Sequence, residues 1–307
     1  MKILVTFPVD QKFKEMGEQY FGKGNIFFYP DKVYADILLI LNNNFPYNEN
    51  VKMIQTVSAG VDHIDFERIN KNTIVCSNAG AYSISVAEHV FALLLSATKN
   101  IIEKDEEMKK GIFNSEPTTL LYAKTLGIIG YGGIGKRVAR IAKSFEMKII
   151  AIGRGNKDEY VEEFTDLKNL KDFVKKSDFI LISIPLTRET KDIINYDVLI
   201  NIKHKGILVN VARPEIVKKD DLLKFLEQRK DVMYLSDVWW DEPVVKDTNI
   251  KNTILTPHIA GGKSGEIMEI AFKQAYENVQ NFINNRPLKN IVQREEYVKI
   301  DRNNIGV

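Results

Sequence analysis

The stretch TLGIIGYGGIGKRVARIA, residues 125–142, decides the fold. It begins with the aliphatic run LGIIG, which predicts a buried strand, and it continues into KRVARIAKSF, which is typical of a helix. Between them, glycines follow a G-x-G-x-x-G spacing, which in a strand–turn–helix context predicts a dinucleotide site. The first glycine permits a tight turn, the second lets the backbone approach a pyrophosphate, and the third lets helix and strand pack closely. We predict that the turn binds a nucleotide cofactor through Gly130, Gly132, Gly133, Ile134 and Gly135.

Short apolar runs with helical patterns between them continue on both sides of this stretch. They contain little polar alternation, as expected of parallel strands covered by helices on both faces. The sequence therefore predicts the α/β class, with two doubly wound parallel-sheet domains, the second a Rossmann dinucleotide-binding domain. We assign four runs to the first sheet and six to the second: KILVTF (2–7), DILLIL (36–41), MIQTV (53–57) and TIVCS (73–77), then LGIIG (126–130), KIIAIG (148–153), FILISIP (179–185), GILVNVA (206–212), MYLSDV (233–238) and TILTPH (253–258).

The domain boundary is predicted inside residues 85–111, a segment that is apolar for three turns and then strongly charged. We predict one long helix here that links the two sheets. The first domain then spans residues 1–95 and the Rossmann domain residues 96–284, ending in a helix near 264–284. The irregular, basic tail 285–307 is expected to return to the first domain and complete it.

Composition limits the kinds of partner. The chain has 307 residues and a formal net charge of +2, which offers no basic face for nucleic acid. Its single cysteine, Cys76, forms no internal disulfide and no zinc-ligand spacing, so we expect a reducing cytoplasm and no metal. No apolar run approaches the roughly 20 residues that span a membrane. We expect a cytoplasmic protein that binds a small molecule, without membrane or nucleic-acid partners.

The end of the strand after the glycine turn selects the nucleotide, because in NAD sites an acidic residue there hydrogen-bonds the ribose 2′-hydroxyl. Here the strand ends at Gly153, and Arg154 follows. No carboxylate stands at this place to repel a 2′-phosphate, and a guanidinium binds phosphate through charged hydrogen bonds. We predict that Gly153 and Arg154 bind NADP. NAD is the alternative, if Arg154 stacks on adenine or lies in solvent.

Three polar residues follow predicted strands of the second sheet, where open α/β sheets bind their ligands. They are Arg213 in NVARPEIV, Glu242 in SDVWWDEP and His258 in TPHIAGG. Each has an ordinary interpretation by itself: a surface cation, a solvated loop acid and a histidine beside a turn.

Seven motifs together make the chain resemble the D-isomer-specific 2-hydroxyacid dehydrogenases, which include D-lactate, glycerate and phosphoglycerate dehydrogenases and glyoxylate/hydroxypyruvate reductases. The resemblance covers essentially the whole chain, with the motifs in the family's order and spacing. They are SAGVDHID (58–65), VAEH (86–89), GYGGIG (130–135), PLTRET (185–190), NVAR (210–213), DVWWDEP (237–243) and PHIAGG (257–262).

The resemblance implies the catalytic roles. Arg213 binds the substrate carboxylate and polarises its carbonyl, His258 donates and accepts the proton, and Glu242 pairs with that histidine. The chemistry agrees, because a carbonyl oxygen gains negative charge as a hydride arrives and histidine, with a reference pKa of about 6.5, exchanges protons near neutrality. Backbone N–H groups of Ala59 and Gly60 are expected to hold the substrate carboxylate.

The resemblance also extends the cofactor site and the assembly. Asp237 is expected near the nicotinamide amide, and His89 is expected to serve packing or a domain interface. A homodimer is expected, because the family is commonly dimeric, and the helical segment 85–111 could contribute to its interface. Further residues are expected to line the cofactor: Ile184, Pro185, Thr190 and Val211.

The chain departs from the family pattern at three places. Pro214 replaces the usual glycine after the arginine, which fixes φ and removes an N–H. The usual acid before the next helix is displaced by EIVKKDD, which we interpret as a surface change. Paired Trp239 and Trp240 replace a more usual single aromatic residue, and they either narrow the active-site mouth or pack the domain.

Two alternatives to a 2-hydroxyacid dehydrogenase are open. Formate dehydrogenases share the architecture but typically have glutamine at the position of Glu242, because formate oxidation produces no alkoxide that needs a proton. Transcriptional corepressors keep the fold as nucleotide sensors, although the sequence lacks the extended disordered tails usual in such proteins. We favour the enzyme, with glyoxylate, hydroxypyruvate or a small alkyl 2-oxo acid as the substrate.

Overall fold

The computed structural model describes residues 1–262 and 264–297. The chain divides into two compact units, the first comprising residues 1–82 and 263–307 and the second residues 83–262. Among the described residues the strands are β1 (Ile3–Val5), β2 (Ile26–Phe28), β3 (Ile37–Ile40), β4 (Met53–Thr56), β5 (Ile74–Cys76), β6 (Thr125–Ile129), β7 (Lys148–Ile152), β8 (Glu163–Thr165), β9 (Phe179–Ile182), β10 (Ile207–Asn210), β11 (Met233–Ser236) and β12 (Thr253–Leu255). The helices are α1 (Gln11–Phe21), α2 (Ser83–Thr98), α3 (Ile101–Lys109), α4 (Gly133–Ser144), α5 (Leu170–Lys176), α6 (Tyr196–Leu199), α7 (Lys219–Gln228) and α8 (Gly265–Ile283), with short 3-10 helices at Phe66–Arg68, Leu167–Asn169, Pro214–Ile216 and Arg294–Glu296.

The first unit is built on a parallel five-stranded sheet in the order β2-β1-β3-β4-β5. Its central strands are buried on both faces, which explains why their sequences lack polar alternation. Helix α8 contributes to the core of this unit: Phe272 stacks on Phe13 with ring centroids 4.5 Å apart, and the Tyr276 hydroxyl donates to the Phe13 carbonyl at 3.0 Å. Helix α8 comes late in the sequence but therefore packs in the core of the first unit.

The segment after α8 also belongs to the first unit. Asn285, with a φ of 52°, follows the end of the helix. Ile291 then forms an antiparallel bridge with Cys76 of β5, and the N–H of Val292 donates to the Val75 carbonyl at 2.9 Å. Of the tail predicted at 285–307, the part beyond residue 297 lies outside the described residues.

The second unit is built on a parallel seven-stranded sheet in the order β12-β11-β10-β9-β6-β7-β8. Counted from β6, the first six strands follow the order 3-2-1-4-5-6 of the Rossmann fold. The connections reverse direction between β6 and β9. A dinucleotide binds at such a reversal, outside the carboxyl ends of the strands. The fold class predicted from the sequence is confirmed.

Two strands and one helix break were not predicted. The strands β2 (IFF) and β8 (EFT) contain one aliphatic residue between them, so neither shows the aliphatic run that marks the other strands. The single helix predicted over 85–111 is wrong, because α2 ends at Thr98 and α3 starts at Ile101. Asn100 between them has a φ of 52°, a left-handed conformation that asparagine adopts more readily than most residues and that no helix continues through.

The division into units differs from the boundaries predicted at residues 95 and 284. Helix α2 groups with the second unit, where Phe91 stacks on Phe145 at the end of α4 with centroids 5.2 Å apart. Helix α8 groups with the first unit because its apolar face lies in that unit's core. The predicted boundaries assigned each helix to a domain by its position in the sequence. The observed units instead group each helix with the core that its apolar face packs against.

Candidate active site

The glycine turn between β6 and α4 is shaped by contacts that exclude a side chain. Gly130 has a φ of 104°, and a Cβ built on it would lie 2.5 Å from the backbone nitrogen of Ile184. A Cβ on Gly135 would lie 2.3 Å from the Gly130 carbonyl oxygen. Glycine at both positions therefore allows β6, α4 and the end of β9 to approach one another closely.

Gly132 differs from these two glycines. It is exposed, it is the N-cap of α4, and a Cβ added to it would meet nothing within 4 Å. The first N–H groups of a helix lack partners inside the helix and carry partial positive charge, and a glycine cap has no side chain to cover them. The residues present therefore fit a pyrophosphate at the start of α4, next to Gly133 and Ile134.

Gly153 and Arg154 follow β7, next to β6 in the sheet. A Cβ on Gly153 would lie 3.0 Å from the Phe164 ring, so this glycine lets the strand end pack against an aromatic side chain. Arg154 is 65% exposed at its side chain, and its guanidinium lies 3.8 Å from the Glu189 carboxylate. An ion pair this exposed contributes little to stability.

Four predicted cofactor contacts lie at the ends of β9 and β10. Ile184 is half-buried and Pro185 exposed, whereas Val211 and Thr190 are buried. The Thr190 hydroxyl donates to the Pro185 carbonyl at 2.7 Å and accepts the Thr187 N–H at 2.8 Å. Thr190 therefore shapes the loop 185–190 through hydrogen bonds inside that loop.

Arg213 follows β10 and is half-buried. Its backbone carbonyl accepts the side-chain amide of the fully buried Asn210 at 3.0 Å, and its Nη1 donates to the Ala212 carbonyl at 2.9 Å. Pro214 is the first residue of the 3-10 helix Pro214–Ile216, a position where a missing N–H costs nothing. Proline after the arginine is thus compatible with an ordered loop.

Glu242 and His258 are brought together from the connections on either side of β12. Nδ1 of His258 lies 2.8 Å from Oε2 of Glu242, and Oε1 of Glu242 accepts the Trp239 N–H at 2.7 Å. The glutamate side chain is 14% exposed and the histidine side chain 37% exposed. Because an ionised carboxylate only accepts hydrogen bonds, Nδ1 carries the hydrogen of this pair and Nε2 is the nitrogen left for proton exchange.

The loop that carries His258 is held by Asp237, which is almost fully buried at the end of β11. Its carboxylate accepts hydrogen bonds from the Thr256 hydroxyl at 2.6 Å, from the Ile259 N–H at 2.9 Å and from the Ala260 N–H at 2.7 Å. His258 lies between these partners with a φ of 55°. The acid expected near the nicotinamide thus also fixes the backbone around the histidine.

His89 of α2 joins the same network. Its Nε2 lies 2.9 Å from the Thr256 hydroxyl and 3.5 Å from the Asp237 carboxylate. Since the hydroxyl donates its hydrogen to Asp237, it accepts from Nε2–H of His89. Sequence reasoning assigned His89 to packing or an interface and did not find Thr256. The only signal was that His89 lies in the motif 86–89 and that Thr256 directly precedes the motif 257–262.

Ala59 and Gly60, the expected carboxylate ligands, lie in the first unit just after β4. Both are half-buried. The Ser58 hydroxyl donates to the Gly60 carbonyl at 3.0 Å, and the Thr56 hydroxyl donates to the Ser58 carbonyl at 2.6 Å. These short-range bonds fold the strand end into a compact loop.

Residues 1–262 and 264–297 contain no group of three or more histidine, cysteine, aspartate or glutamate side chains placed to bind a metal ion. Within the same ranges, no helix combines the length and the apolar character that crossing a membrane requires.

The chain is similar to proteins of one known family. The family described as D-isomer specific 2-hydroxyacid dehydrogenase, NAD binding domain, matches residues 91–260. Glyoxylate reductase from Pyrococcus horikoshii is 33% identical over 228 residues, which is 70% of this chain and 68% of that protein. The chain therefore belongs to the D-isomer-specific 2-hydroxyacid dehydrogenase family. It is an oxidoreductase of the class that transfers a hydride between a CH–OH group and a nicotinamide nucleotide.

Solved structures agree with this assignment. A glycerate dehydrogenase related protein from Thermoplasma acidophilum is 49% identical, with a TM-score of 0.71, over 92% of this chain and 100% of that one. D-lactate dehydrogenase from Aquifex aeolicus, solved with NAD and lactic acid, is 26% identical, with a TM-score of 0.73, over 93% of this chain and 96% of that one.

Proposed function

We propose that the chain reduces a small 2-oxo acid to its D-2-hydroxy acid, with Arg213 binding and polarising the substrate and His258, paired with Glu242, supplying the proton. The observation that carries the proposal is the 2.8 Å hydrogen bond between His258 and Glu242, placed at the carboxyl ends of the strands in the nucleotide-binding unit. A histidine oriented by a carboxylate is what an alkoxide-forming reduction needs.

Arg213 is proposed to bind the substrate anion. A guanidinium offers two parallel N–H groups to a carboxylate and a third toward the carbonyl oxygen, where negative charge develops during the reaction. The hydrogen bond from the Asn210 side chain to the Arg213 backbone carbonyl fixes the position of the Arg213 backbone, from which the guanidinium side chain extends. Backbone N–H groups of Ala59 and Gly60 stay predicted ligands of the substrate carboxylate, from the family resemblance.

Proton transfer is proposed to run through Nε2 of His258. The bound nucleotide supplies the hydride that adds to the carbonyl carbon. The carbonyl oxygen then takes the proton from Nε2, and the neutral histidine recovers one from solvent through its 37% exposed side chain. Glu242 holds the Nδ1 hydrogen throughout and so keeps the ring oriented.

We propose NADP as the preferred nucleotide, with NAD as the competing one. Arg154 and the absence of an acid at Gly153 favour a 2′-phosphate, whereas the family's domain is described as NAD-binding and the solved D-lactate dehydrogenase holds NAD. We expect kcat/KM to be higher with NADPH than with NADH. Replacing Arg154 by Gln is expected to lower NADPH efficiency by about tenfold or more while NADH efficiency stays unchanged, because one charged phosphate contact is lost. A wild-type ratio below one contradicts the preference.

Substrate identity is tested by a panel of glyoxylate, hydroxypyruvate and small alkyl 2-oxo acids with both nucleotides. Glyoxylate and hydroxypyruvate are proposed first because the glyoxylate reductase and the glycerate dehydrogenase related protein are among the relatives. Formate with the oxidised nucleotide serves as the comparison reaction, and Glu242 leads us to expect no turnover of it. Turnover of no 2-oxo acid, with nucleotide still bound, supports the nucleotide-sensing alternative.

We also propose a homodimer. Residues 111–120 are all exposed and contain no helix or strand, although Phe113 is 85% and Leu120 60% exposed. Ile101 and Met108 of α3 are also more than half exposed, and large apolar side chains exposed in this number are of the kind that assemblies cover. Light scattering is expected to give twice the mass of one chain, and Phe113→Glu is expected to lower it. A monomer at micromolar concentration contradicts this proposal.

A cytoplasmic location is inferred from Cys76. This only cysteine of the chain is fully buried in β5, and burial raises the pKa of its thiol to about 11, as suits a reduced structural thiol. Cell fractionation checks the location, and recovery in a secreted fraction contradicts it.

A further inference from the structure

The connection from β11 to β12 carries Glu242, and we call its residues 239–247 the Glu242 segment. None of these residues is in a helix or strand. On one side the segment is anchored by Trp239, which is 4% exposed. The Trp239 backbone N–H donates to Glu242 at 2.7 Å, and its indole Nε1 donates to the Lys246 carbonyl at 2.6 Å. These two bonds close the segment on itself.

The other side of the segment is held by a cation outside it. Lys219, the first residue of α7, places its Nζ 3.1 Å from the Asp247 carboxylate and 3.6 Å from the Asp241 carboxylate. The lysine side chain is only 23% exposed, whereas the two aspartates are 59% and 62% exposed. The hydrogen bond to Asp247, followed by the charges of both aspartates, raises the pKa of Lys219. One ammonium thus bridges both ends of the turn around Glu242.

The sequence gives an independent reason to connect Lys219 with this segment. The first turn of a helix disfavours a cation because the helix N-terminus carries partial positive charge. Lys218 and Lys219 nevertheless stand here, in the EIVKKDD stretch where the family usually has an acid. Lys218, the N-cap residue of α7, pairs with Asp221 in the first turn of the same helix at 3.3 Å. Lys219 instead makes its ion pairs with a different element, the one that carries Glu242.

We propose that Lys219 is a positioning residue that holds the Glu242 segment through Asp241 and Asp247, and thereby keeps Glu242 bonded to His258. The inference rests on the proposed function, because positioning matters only if the Glu242–His258 pair serves proton transfer.

Loss of the ammonium leaves the carboxylates of Asp241 and Asp247, on either side of Glu242, without their shared cation. Asp241 is also held at a φ of 65°, a strained conformation for a residue other than glycine that surrounding contacts must maintain. We expect the turn to relax toward solvent and the carboxylate of Glu242 to leave its place beside His258 in part of the molecules. The reaction is then slowed without a change in nucleotide binding.

The test uses three variants of the full chain. Lys219→Met removes the charge and keeps the apolar stem, Lys219→Arg restores the charge, and Lys218→Met is the matched control one residue away. With a 2-oxo acid that the wild type turns over, Lys219→Met is expected to lower kcat roughly three- to tenfold with unchanged nucleotide affinity. Lys219→Arg is expected to recover most of the loss, and Lys218→Met to behave as the wild type.

A second readout is independent of activity. Trp239 and Trp240 are the only two tryptophans of the chain, and both lie in the Glu242 segment. Lys219→Met is expected to shift their emission to longer wavelength and to increase quenching by acrylamide, whereas Lys218→Met leaves both unchanged. Asp247→Asn, which removes the nearer partner from the other side, is expected to change the fluorescence in the same direction and serves if Lys219→Met does not fold.

The outcomes separate this inference from the proposed function. Unchanged fluorescence and kcat in Lys219→Met, or equal effects in Lys218→Met, overturn the positioning role. A wild type that turns over no 2-oxo acid overturns the proposed function, and a fluorescence change confined to Lys219→Met and Asp247→Asn then still supports the hold on the segment.

Discussion

Replacing Asp237 by asparagine tests whether the loop that carries His258 is built as described. The carboxylate is almost fully buried, and one oxygen accepts the Thr256 hydroxyl and the Ile259 N–H while the other accepts the Ala260 N–H. An asparagine keeps one oxygen and turns the other into an NH₂ group, which faces a donor where it needs an acceptor.

The cost follows from these contacts. A hydrogen bond to a charged group contributes about 1.5–3 kcal/mol, and a buried N–H left without a partner costs about 1–3 kcal/mol. With one bond of Asp237 lost and two weakened to neutral ones, the second unit is expected to lose about 3–5 kcal/mol in its free energy of unfolding. kcat is expected to fall as well, because His258 lies between the loop residues that lose support.

The assay is urea unfolding followed by tryptophan fluorescence, which reports on the second unit because both tryptophans lie there. Asp172→Asn is the matched control. Its carboxylate is 75% exposed and pairs only across 3.3 Å with Lys175, so a change within about 0.5 kcal/mol is expected. If Asp237→Asn unfolds within 1 kcal/mol of the wild type and keeps its kcat, the account of the loop is refuted.

Three further predictions concern the other parts of the site. Arg213→Lys is expected to lose at least tenfold in kcat/KM, because a point charge does not reproduce a two-pronged contact with a carboxylate; near-normal efficiency argues against that contact. Gly132→Ala is expected to stay within about 1 kcal/mol of wild-type stability yet bind nucleotide more weakly, whereas Gly130→Ala is expected to be destabilised by its backbone clash; calorimetry measures both, and equal behaviour contradicts the division of roles. Cys76, with a pKa raised by burial to about 11, is expected to react with a thiol reagent at pH 8 about a hundredfold faster after unfolding; fast reaction in the folded protein contradicts its burial.

Much of the fold could be predicted because its signals are local. Parallel strands covered on both faces appear as unbroken aliphatic runs, and the glycine turn depends on residues within six positions of one another. The edge strands β2 (IFF) and β8 (EFT) were missed because neither is an aliphatic run. The grouping of helices α2 and α8 differs from the predicted boundaries for another reason. Which sheet a helix covers depends on contacts such as that of Phe272 with Phe13, far apart in sequence.

The site was predicted less completely. Residue types and family motifs pointed to Arg213, Glu242 and His258, and the structure brings the last two within hydrogen-bonding distance. The residues that hold them, such as Thr256 and Lys219, could not be found, because their role depends on side chains from separate strands and helices meeting at one place. A lysine at the start of a helix looks like an ordinary surface residue until its partners are known.

The central claim, that His258 supplies the proton for reduction of a 2-oxo acid, is tested most directly by His258→Asn. The measurement is the rate of NADPH or NADH oxidation with the best 2-oxo acid of the panel, together with nucleotide affinity. We predict clear turnover by the wild type, a loss of about a hundredfold or more in kcat in the variant, and unchanged nucleotide affinity. Wild-type turnover retained by His258→Asn would contradict the account.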